Sequence, residues 1–176
     1  MSDLEQHFLS DPEALAWVVA QLDPRPGERA VELGAGRGTI AAALRPRVAA
    51  EHLTLVELDP RLAAGLRRRF PSARVAEGDW REVWAGLGRI DLLVVSLPNA
   101  WVSAALAAAA ADPPRVVVAA VARERPPAMP EPFVVGARLS LPPESFSPPQ
   151  PFAGEAWALR PRVTGRRMAA SRPPVR

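Results

Sequence analysis

The chain has 176 residues, enough for one domain and too few for two of ordinary size. An apolar fraction of 48% and a charged fraction of 23% indicate a globular protein. Cysteine is absent and only two histidines occur, which excludes disulfide scaffolds and cysteine-ligated metal centres and leads us to expect no metal. The formal net charge is +3, and every basic residue is an arginine.

No run of about 20 apolar residues occurs, and the N-terminal sequence MSDLEQHF is too polar for a signal peptide. We therefore expect a cytoplasmic protein that does not enter a membrane.

The first elements alternate between helix and strand. A helix is predicted over residues 11–22, with Asp11 as a possible cap. A short buried strand follows at Ala30–Leu33 and an alanine-rich helix at Thr39–Leu44. A strand is then predicted at His52–Leu58 and a helix at Pro60–Phe70, capped by Asp59.

The alternation continues to residue 121. Strands are predicted at Ala73–Ala76, Ile90–Ser96 and Arg115–Val121, with helices at Trp80–Leu87 and Ala100–Ala111 between them. Alternation at this spacing is typical of a parallel sheet covered by helices on both faces.

The last predicted strands, Phe133–Leu141 and Glu155–Leu159, are joined by a loop without a helix, which favours an antiparallel pair at the sheet edge. The fold class is therefore α/β, Rossmann-like, with a mostly parallel sheet of about seven strands.

A glycine-rich loop follows the first predicted strand of the sheet, in the sequence VELGAGRG. Its glycines, Gly34, Gly36 and Gly38, allow a tight turn and the close approach of a ligand. The loop is not the dinucleotide-binding fingerprint, because that motif requires a glycine at position 39, where this sequence has Thr39. Glu32, two residues before the first glycine, completes a pattern of S-adenosylmethionine-dependent methyltransferases. A simple tight turn is the alternative.

Acidic residues also end the next two predicted strands. Glu57 lies 23 residues after Gly34, where a carboxylate can accept hydrogen bonds from both hydroxyls of a ribose. Asp79 can accept from an adenine amino group while Trp80 packs on the ring; its alternative role is a helix cap. Three carboxylates in this arrangement favour an adenosyl site.

These motifs resemble those of the ribosomal RNA adenine N6-dimethyltransferases, which include the macrolide-resistance methylases. The matching segments are QHFLSDP from Gln6, VELGAGRGTI, LVELDPRLAAGLRRRF, VAEGDW and, more loosely, ESFSPPQP followed by WALRPR. The resemblance covers residues 1–162, is strongest up to residue 80, and implies S-adenosylmethionine as cofactor. It further implies that His7, Leu9, Gly34, Glu57 and Asp79 contact this methyl donor.

The family carries an Asn-Leu-Pro-Tyr or Asn-Leu-Pro-Phe motif after its fourth strand. Here the motif is Ser96-Leu97-Pro98-Asn99. The resemblance implies that Ser96 and the backbone carbonyl beside Pro98 hold the target amine, with Ser96 also beside the cofactor. Asn99 cannot stack on a base as the family's aromatic does. Trp101 is the candidate replacement, and a tryptophan of the core or the helix surface is the alternative.

Two further features differ from the family. We expect its small helical C-terminal domain to be absent, and residues 122–132 are too short and proline-rich for the helix expected there. Residues 122–176 carry 9 Arg against 4 acidic residues. Six of these arginines belong to a basic end that either binds RNA phosphates or is a solvated, disordered tail: Arg160, Arg162, Arg166, Arg167, Arg172 and Arg176.

We therefore predict a methyltransferase-like domain over 1–162, including an N-terminal helical segment 1–24, and a flexible basic tail over 163–176. The predicted activity is methyl transfer to the N6 amine of adenine in ribosomal RNA, by a monomer or weak dimer. A catalytically degenerate cofactor- or RNA-binding protein and a small-molecule methyltransferase are the alternatives.

Overall fold

The computed structural model describes residues 6–162, and the predicted basic tail 163–176 lies outside them. Within this range the chain forms nine strands and five α-helices. The strands are β1 (Phe8–Leu9), β2 (Ala30–Leu33), β3 (Leu53–Glu57), β4 (Arg74–Glu77), β5 (Leu92–Val95), β6 (Val116–Ala122), β7 (Phe133–Leu141), β8 (Phe146–Ser147) and β9 (Gly154–Pro161). The helices are α1 (Pro12–Leu22), α2 (Thr39–Leu44), α3 (Pro60–Arg69), α4 (Trp80–Val83) and α5 (Asn99–Ala109).

Seven strands form one sheet in the order β4-β3-β2-β5-β6-β9-β7. Strands β2 to β6 pair in parallel, whereas β9 is antiparallel to both of its neighbours. The predicted seven-stranded, mostly parallel sheet with an antiparallel pair at its edge is confirmed. The chain runs outward from β2 to β4 and then returns to place β5 on the other side of β2. This reversal is the point at which sheets of this kind bind ligands, beyond the carboxyl ends of the strands.

Helices cover both faces of the sheet. Successive side chains of a strand point to opposite faces, so each strand contributes to both apolar clusters. All four residues of β5 are buried. Leu92 and Val94 belong to an apolar cluster that includes residues of α1, α2 and α3. Leu93 and Val95 belong to a second cluster with α5. A continuous apolar run is therefore the expected sequence for this central strand.

Asp-Pro pairs begin two of the helices, as predicted. Asp11 Oδ1 accepts from the backbone N–H of Glu13 at 2.9 Å, and Asp59 Oδ1 accepts from that of Arg61 at 2.7 Å. Each aspartate satisfies an N–H that has no partner within its helix, and the following proline has no N–H to satisfy.

Two local features differ from the sequence prediction. Instead of one helix over Trp80–Leu87, α4 ends at Val83 and a 3₁₀ turn follows at Trp84–Gly86. Strands β1 and β8 were not predicted; they pair antiparallel, with Phe8 opposite Ser147 and Leu9 opposite Phe146. Two-residue strands carry no periodicity, so only the fold reveals them.

Between β6 and β7, residues 123–132 contain no helix, as predicted from their prolines. No helix within residues 6–162 has the length and apolar character needed to cross a membrane.

Arg115 links three segments at the amino end of the sheet. Its guanidinium donates from Nε to Glu28 Oε1 at 2.6 Å and from Nη2 to Glu28 Oε2 at 2.8 Å. It also donates to the carbonyls of Leu22 and Asp23 at the end of α1. The hydrogen bond from Arg115 lowers the pKa of Glu28. The pair therefore stabilises the fold when Glu28 is ionised.

We predict that Arg115→Met lowers the free energy of unfolding in urea at pH 7 by about 2 kcal/mol, because a half-buried carboxylate and two carbonyls lose their donor. Arg67→Met, which removes a more exposed pair with Glu77, is the control and should cost only about 0.5 kcal/mol. Since Glu28 has a lowered pKa in the folded state, the Arg115→Met deficit should shrink as pH falls below 4.5. Equal losses in the two variants would contradict the role of this link.

Candidate functional site

The residues predicted for the site lie at the carboxyl edge of four adjacent strands. The glycine loop follows β2, Glu57 ends β3, Asp79 follows β4 and Ser96 follows β5. The registers align these ends, with Leu33 opposite Val56 on one side and opposite Val95 on the other. The sheet therefore brings together carboxylates that are far apart in the sequence.

The glycine loop needs glycine for two physical reasons. Gly34, Gly36 and Gly38 have φ angles of +76°, +54° and +75°, a region that other L-residues rarely adopt. A Cβ on Gly34 would also clash with the backbone carbonyl oxygen of Ser96. The loop after β2 thus touches the backbone after β5, directly at the reversal of strand order.

Glu57 fastens this loop to the end of β3. Its Oε2 accepts from the backbone N–H of Gly36 at 2.7 Å, and its Oε1 accepts from that of Asp59 at 2.9 Å. Glu57 is only 7% exposed. Each carboxylate oxygen can accept more than one hydrogen bond, so Glu57 retains acceptor capacity for a ligand.

Glu32 is buried in β2 and lacks a partner for one oxygen. Within the described residues, Glu32 Oε2 is the buried side-chain atom without a hydrogen bond. Burial, aided by the nearby Glu57 carboxylate, raises the pKa of Glu32 to about 8. The unsatisfied carboxyl oxygen beside the glycine loop can accept a hydrogen bond from a ligand, and a cationic group of a ligand would favour the ionised form of Glu32.

Asp79 is the N-cap of α4 and is ion-paired with Arg81. Its Oδ1 accepts from the Arg81 backbone N–H and from Arg81 Nε, each at 2.9 Å. These hydrogen bonds lower the pKa of Asp79 to about 2. The cap, given as the alternative role of Asp79, is therefore present, and a ligand amine would share the carboxylate with Arg81.

Arg81 connects Asp79 to Trp101. Its guanidinium lies 4.3 Å from the centre of the Trp101 ring, a cation–π contact. Trp101 is 40% exposed on the first turn of α5. Trp80 meets Trp84 edge to face, with 6.1 Å between the ring centres. Trp80 and Trp84 both pack against the apolar cluster on the α5 side of the sheet. Trp101 is the exposed aromatic beside the Ser96-Leu97-Pro98-Asn99 motif.

Asn99 is held by backbone groups from the end of β6 and the loop beyond it. Its Oδ1 accepts from the Ala122 N–H at 2.9 Å, and its Nδ2 donates to the Arg125 carbonyl at 2.9 Å. The side chain thus anchors the start of α5. The Pro98 carbonyl accepts from the Trp101 N–H at 2.8 Å, which leaves the Leu97 carbonyl as the oxygen beside the proline for a ligand.

The N-terminal residues cover the glycine loop. A Cβ on Gly36 would lie 2.6 Å from the Phe8 ring, so the phenylalanine packs directly on this glycine. His7 Nδ1 lies 2.9 Å from the Pro148 carbonyl oxygen, and Leu9 is buried. The sequence prediction included His7 and Leu9 but missed Phe8, although the QHFL motif contains it.

No group of three or more histidine, aspartate or glutamate side chains within residues 6–162 has an arrangement that could hold a metal ion.

We predict that Gly34→Ala destabilises the protein by about 3 kcal/mol in urea unfolding. An alanine in the left-handed backbone conformation costs about 1 kcal/mol. The clash of its Cβ with the Ser96 backbone costs about 2 kcal/mol more. Gly27→Ala is the matched control, because Gly27 has φ +82° with open space around it. It should show the backbone cost alone, and equal destabilisation of the two variants would refute the close approach to Ser96.

We also predict that Glu32→Gln changes how stability depends on pH. The folded protein holds a proton on Glu32 up to about pH 8, whereas the unfolded chain releases it near 4.5. Wild-type stability should therefore fall relative to Glu32→Gln as pH rises from 4.5 to 8, by at most about 1.4 kcal/mol per pH unit. Urea unfolding at pH 5 and pH 8 measures this, with Glu51→Gln, an exposed glutamate, as control. Parallel pH profiles for wild type and Glu32→Gln would count against a protonated Glu32.

The chain is similar to known proteins in sequence and in fold. Residues 1–77 match the family profile described as Ribosomal RNA adenine dimethylase. The Ribosomal RNA small subunit methyltransferase A of Methylibium petroleiphilum is 42% identical over 95 residues, covering 54% of this chain and 33% of that protein. The same protein of Bordetella pertussis is 41% identical over 96 residues, covering 53% and 36%. The chain thus spans about a third of the length of these curated relatives.

Solved structures share the fold. The 23S rRNA methyltransferase ErmE has a TM-score of 0.72 at 21% identity, covering 89% of this chain and 70% of that one. A dimethyladenosine transferase from Plasmodium falciparum has a TM-score of 0.70 at 16% identity, covering 89% and 64%. The fold is that of these methyltransferases. The family match over residues 1–77 and the curated relatives confirm the resemblance of this part of the chain to the ribosomal RNA adenine dimethylases.

Proposed function

We propose that this protein is an S-adenosylmethionine-dependent methyltransferase that modifies the N6 amine of adenine in ribosomal RNA. The observation that carries the proposal is the carboxyl edge at the strand reversal, where the glycine loop, Glu57 and the unsatisfied Glu32 meet. The matching family and relatives, which are named for the methylation of ribosomal RNA, support this acceptor, and a ribosomal substrate is consistent with a cytoplasmic location.

The residues present fit the cofactor. Glu32 offers an unpartnered buried oxygen to a cationic group, and Gly34 and Gly36 offer backbone without side chains. Glu57 retains lone pairs for the ribose hydroxyls.

Four further residues complete the proposed cofactor site. Asp79 and Trp80 are proposed for the adenine, as the sequence predicted. His7 and Leu9 hold the strand that covers the loop.

The bound cofactor would supply a methyl group already activated on a sulfonium, so the chain needs no metal and no covalent nucleophile. The task of the protein is alignment. The Ser96 hydroxyl and the Leu97 carbonyl would accept hydrogen bonds from the adenine amine and orient its lone pair. Pro98, which directly follows both acceptors, has its φ angle restricted by its ring, at −51°.

A target adenine must also be held after it leaves its stack, which costs a few kcal/mol. Asn99 is engaged with the backbone of Ala122 and Arg125, so it does not serve this purpose. We propose that Trp101 stacks on the base instead, with Arg81 already on the ring to set its orientation.

The occupied Asn99 side chain favours a second candidate, a catalytically degenerate protein that binds the cofactor without methyl transfer. Calorimetric titration with S-adenosylhomocysteine tests the cofactor site, and tritium transfer from labelled S-adenosylmethionine to deproteinised ribosomal RNA tests the activity. Binding with transfer supports the methyltransferase. Binding without transfer to RNA supports the second candidate, and transfer only to small molecules would identify a small-molecule enzyme.

We predict that Trp101→Ala lowers tritium transfer to RNA by about five- to 150-fold, because a base–aromatic stack contributes about 1–3 kcal/mol. Phe152→Ala is the control: Phe152 is similarly exposed, at 43%, and lies outside the proposed site. Titration with S-adenosylhomocysteine should give the same affinity for both variants and wild type. Full activity in Trp101→Ala would remove Trp101 as the stacking residue.

A further inference from the structure

A shallow cavity of about 360 Å³ lies between the glycine loop and α3. Four arginines line it: Arg37 from the loop, and Arg61, Arg68 and Arg69 from the helix. All four are exposed. We call this cavity and its four arginines the α3 groove.

Within residues 6–162, no acidic side chain neutralises the positive charge of the groove. Among the ion pairs of residues 6–162, none involves any of the four arginines, whereas the neighbouring Arg67 is paired with Glu77 at 2.8 Å. Asp59, the nearest carboxylate along the chain, accepts the backbone N–H of Arg61 as a helix cap. Four guanidiniums around one cavity repel each other unless an anion lies between them.

The groove runs along one face of α3, where two of the arginines flank a glycine. Arg61, Gly65 and Arg68 are four and three residues apart, so they lie on one face. Gly65 has no side chain, and a Cβ there would meet only Arg68 Nη2 at 4.0 Å. Seven residues of helix place Arg61 and Arg68 about 10 Å apart along the axis.

The other two arginines tie the groove to the proposed cofactor site. Arg69 Nη1 donates to the Arg37 carbonyl at 2.7 Å, and the Arg37 guanidinium lies 4.6 Å from the centre of the Phe8 ring. Gly36, which binds Glu57, lines the same cavity. An anion in the groove would therefore lie next to the glycine loop.

We propose that the α3 groove binds the phosphate backbone of the substrate RNA and guides it past the glycine loop. This inference rests on the proposed function, because it requires an RNA substrate. Guanidinium groups bind phosphates through paired hydrogen bonds. A small anion would use one or two of the arginines, whereas four over about 10 Å fit a polyanion with regularly spaced charges.

The test compares Arg61→Gln/Arg68→Gln with wild type. Among residues 6–162, the side chains of Arg61 and Arg68 make no hydrogen bond or ion pair, whereas Arg69 donates to the Arg37 carbonyl. The double substitution should therefore leave the fold and the glycine loop unchanged. The control, Arg25→Gln/Arg47→Gln, removes two exposed arginines in the segments that precede β2 and β3. Arg61→Lys/Arg68→Lys keeps the charge but loses the paired hydrogen bonds.

The probe is a fluorescein-labelled, adenine-rich single-stranded RNA of 20 nucleotides, titrated by anisotropy at several salt concentrations. We expect about tenfold weaker binding for the glutamine pair, and a fall of about 1.4 in the slope of log K against log salt, about 0.7 for each lost phosphate contact. The lysine pair should retain most of the slope, and the affinity for S-adenosylhomocysteine should not change.

The outcomes separate this proposal from the proposed function. If the glutamine pair and the control lose RNA affinity equally, the proposed role of the α3 groove is overturned. It is also overturned if wild-type protein does not bind the RNA. Wild-type protein that binds RNA through the groove without methylating ribosomal RNA would support the groove and contradict the proposed activity. If the glutamine pair binds RNA and methylates it as wild type does, the result would support the proposed activity and contradict the groove.

Discussion

The contact on which the site depends is the approach of Gly34 to the Ser96 carbonyl. It joins the ends of β2 and β5, the two strands between which the order of the sheet reverses. The loop proposed for the cofactor and the motif proposed for the acceptor amine therefore share one backbone contact. Reacting groups aligned to a fraction of an ångström require this kind of rigidity, because no flexible side chain separates the two halves of the site.

Around this contact, the chain uses carboxylates in different ways according to their surroundings. Glu57 has backbone donors on both oxygens, whereas Glu32 is buried with one oxygen unsatisfied. Asp79 is ion-paired with Arg81, which also lies on the Trp101 ring. A ligand that binds Asp79 would thus alter the contacts of Arg81, and through them the environment of Trp101.

Sequence alone was sufficient for the sheet and for the strand ends at which most candidate site residues lie. Continuous apolar runs such as LLVV and helix-starting Asp-Pro pairs have local causes, and parallel strands bring their carboxyl ends together whatever the loops contain. The partners of individual side chains were not predictable in the same way. The bonds of Asn99 to Ala122 and Arg125 join residues 23 and 26 positions apart and depend on how α5 packs beside β6. The packing of Phe8 on Gly36 likewise depends on the pairing of β1 with β8.

That pairing has a consequence for biosynthesis. The strand that covers the glycine loop is held by Phe146, Ser147 and Pro148, almost 140 residues later in the chain. Contacts so distant in sequence form late, because a long loop must close first. While the chain is still emerging from the ribosome, the strands of the first half can assemble, but the cover over the glycine loop must wait until residue 148 has been released. The edge proposed to bind the methyl donor is therefore complete only after residue 148 has been synthesised.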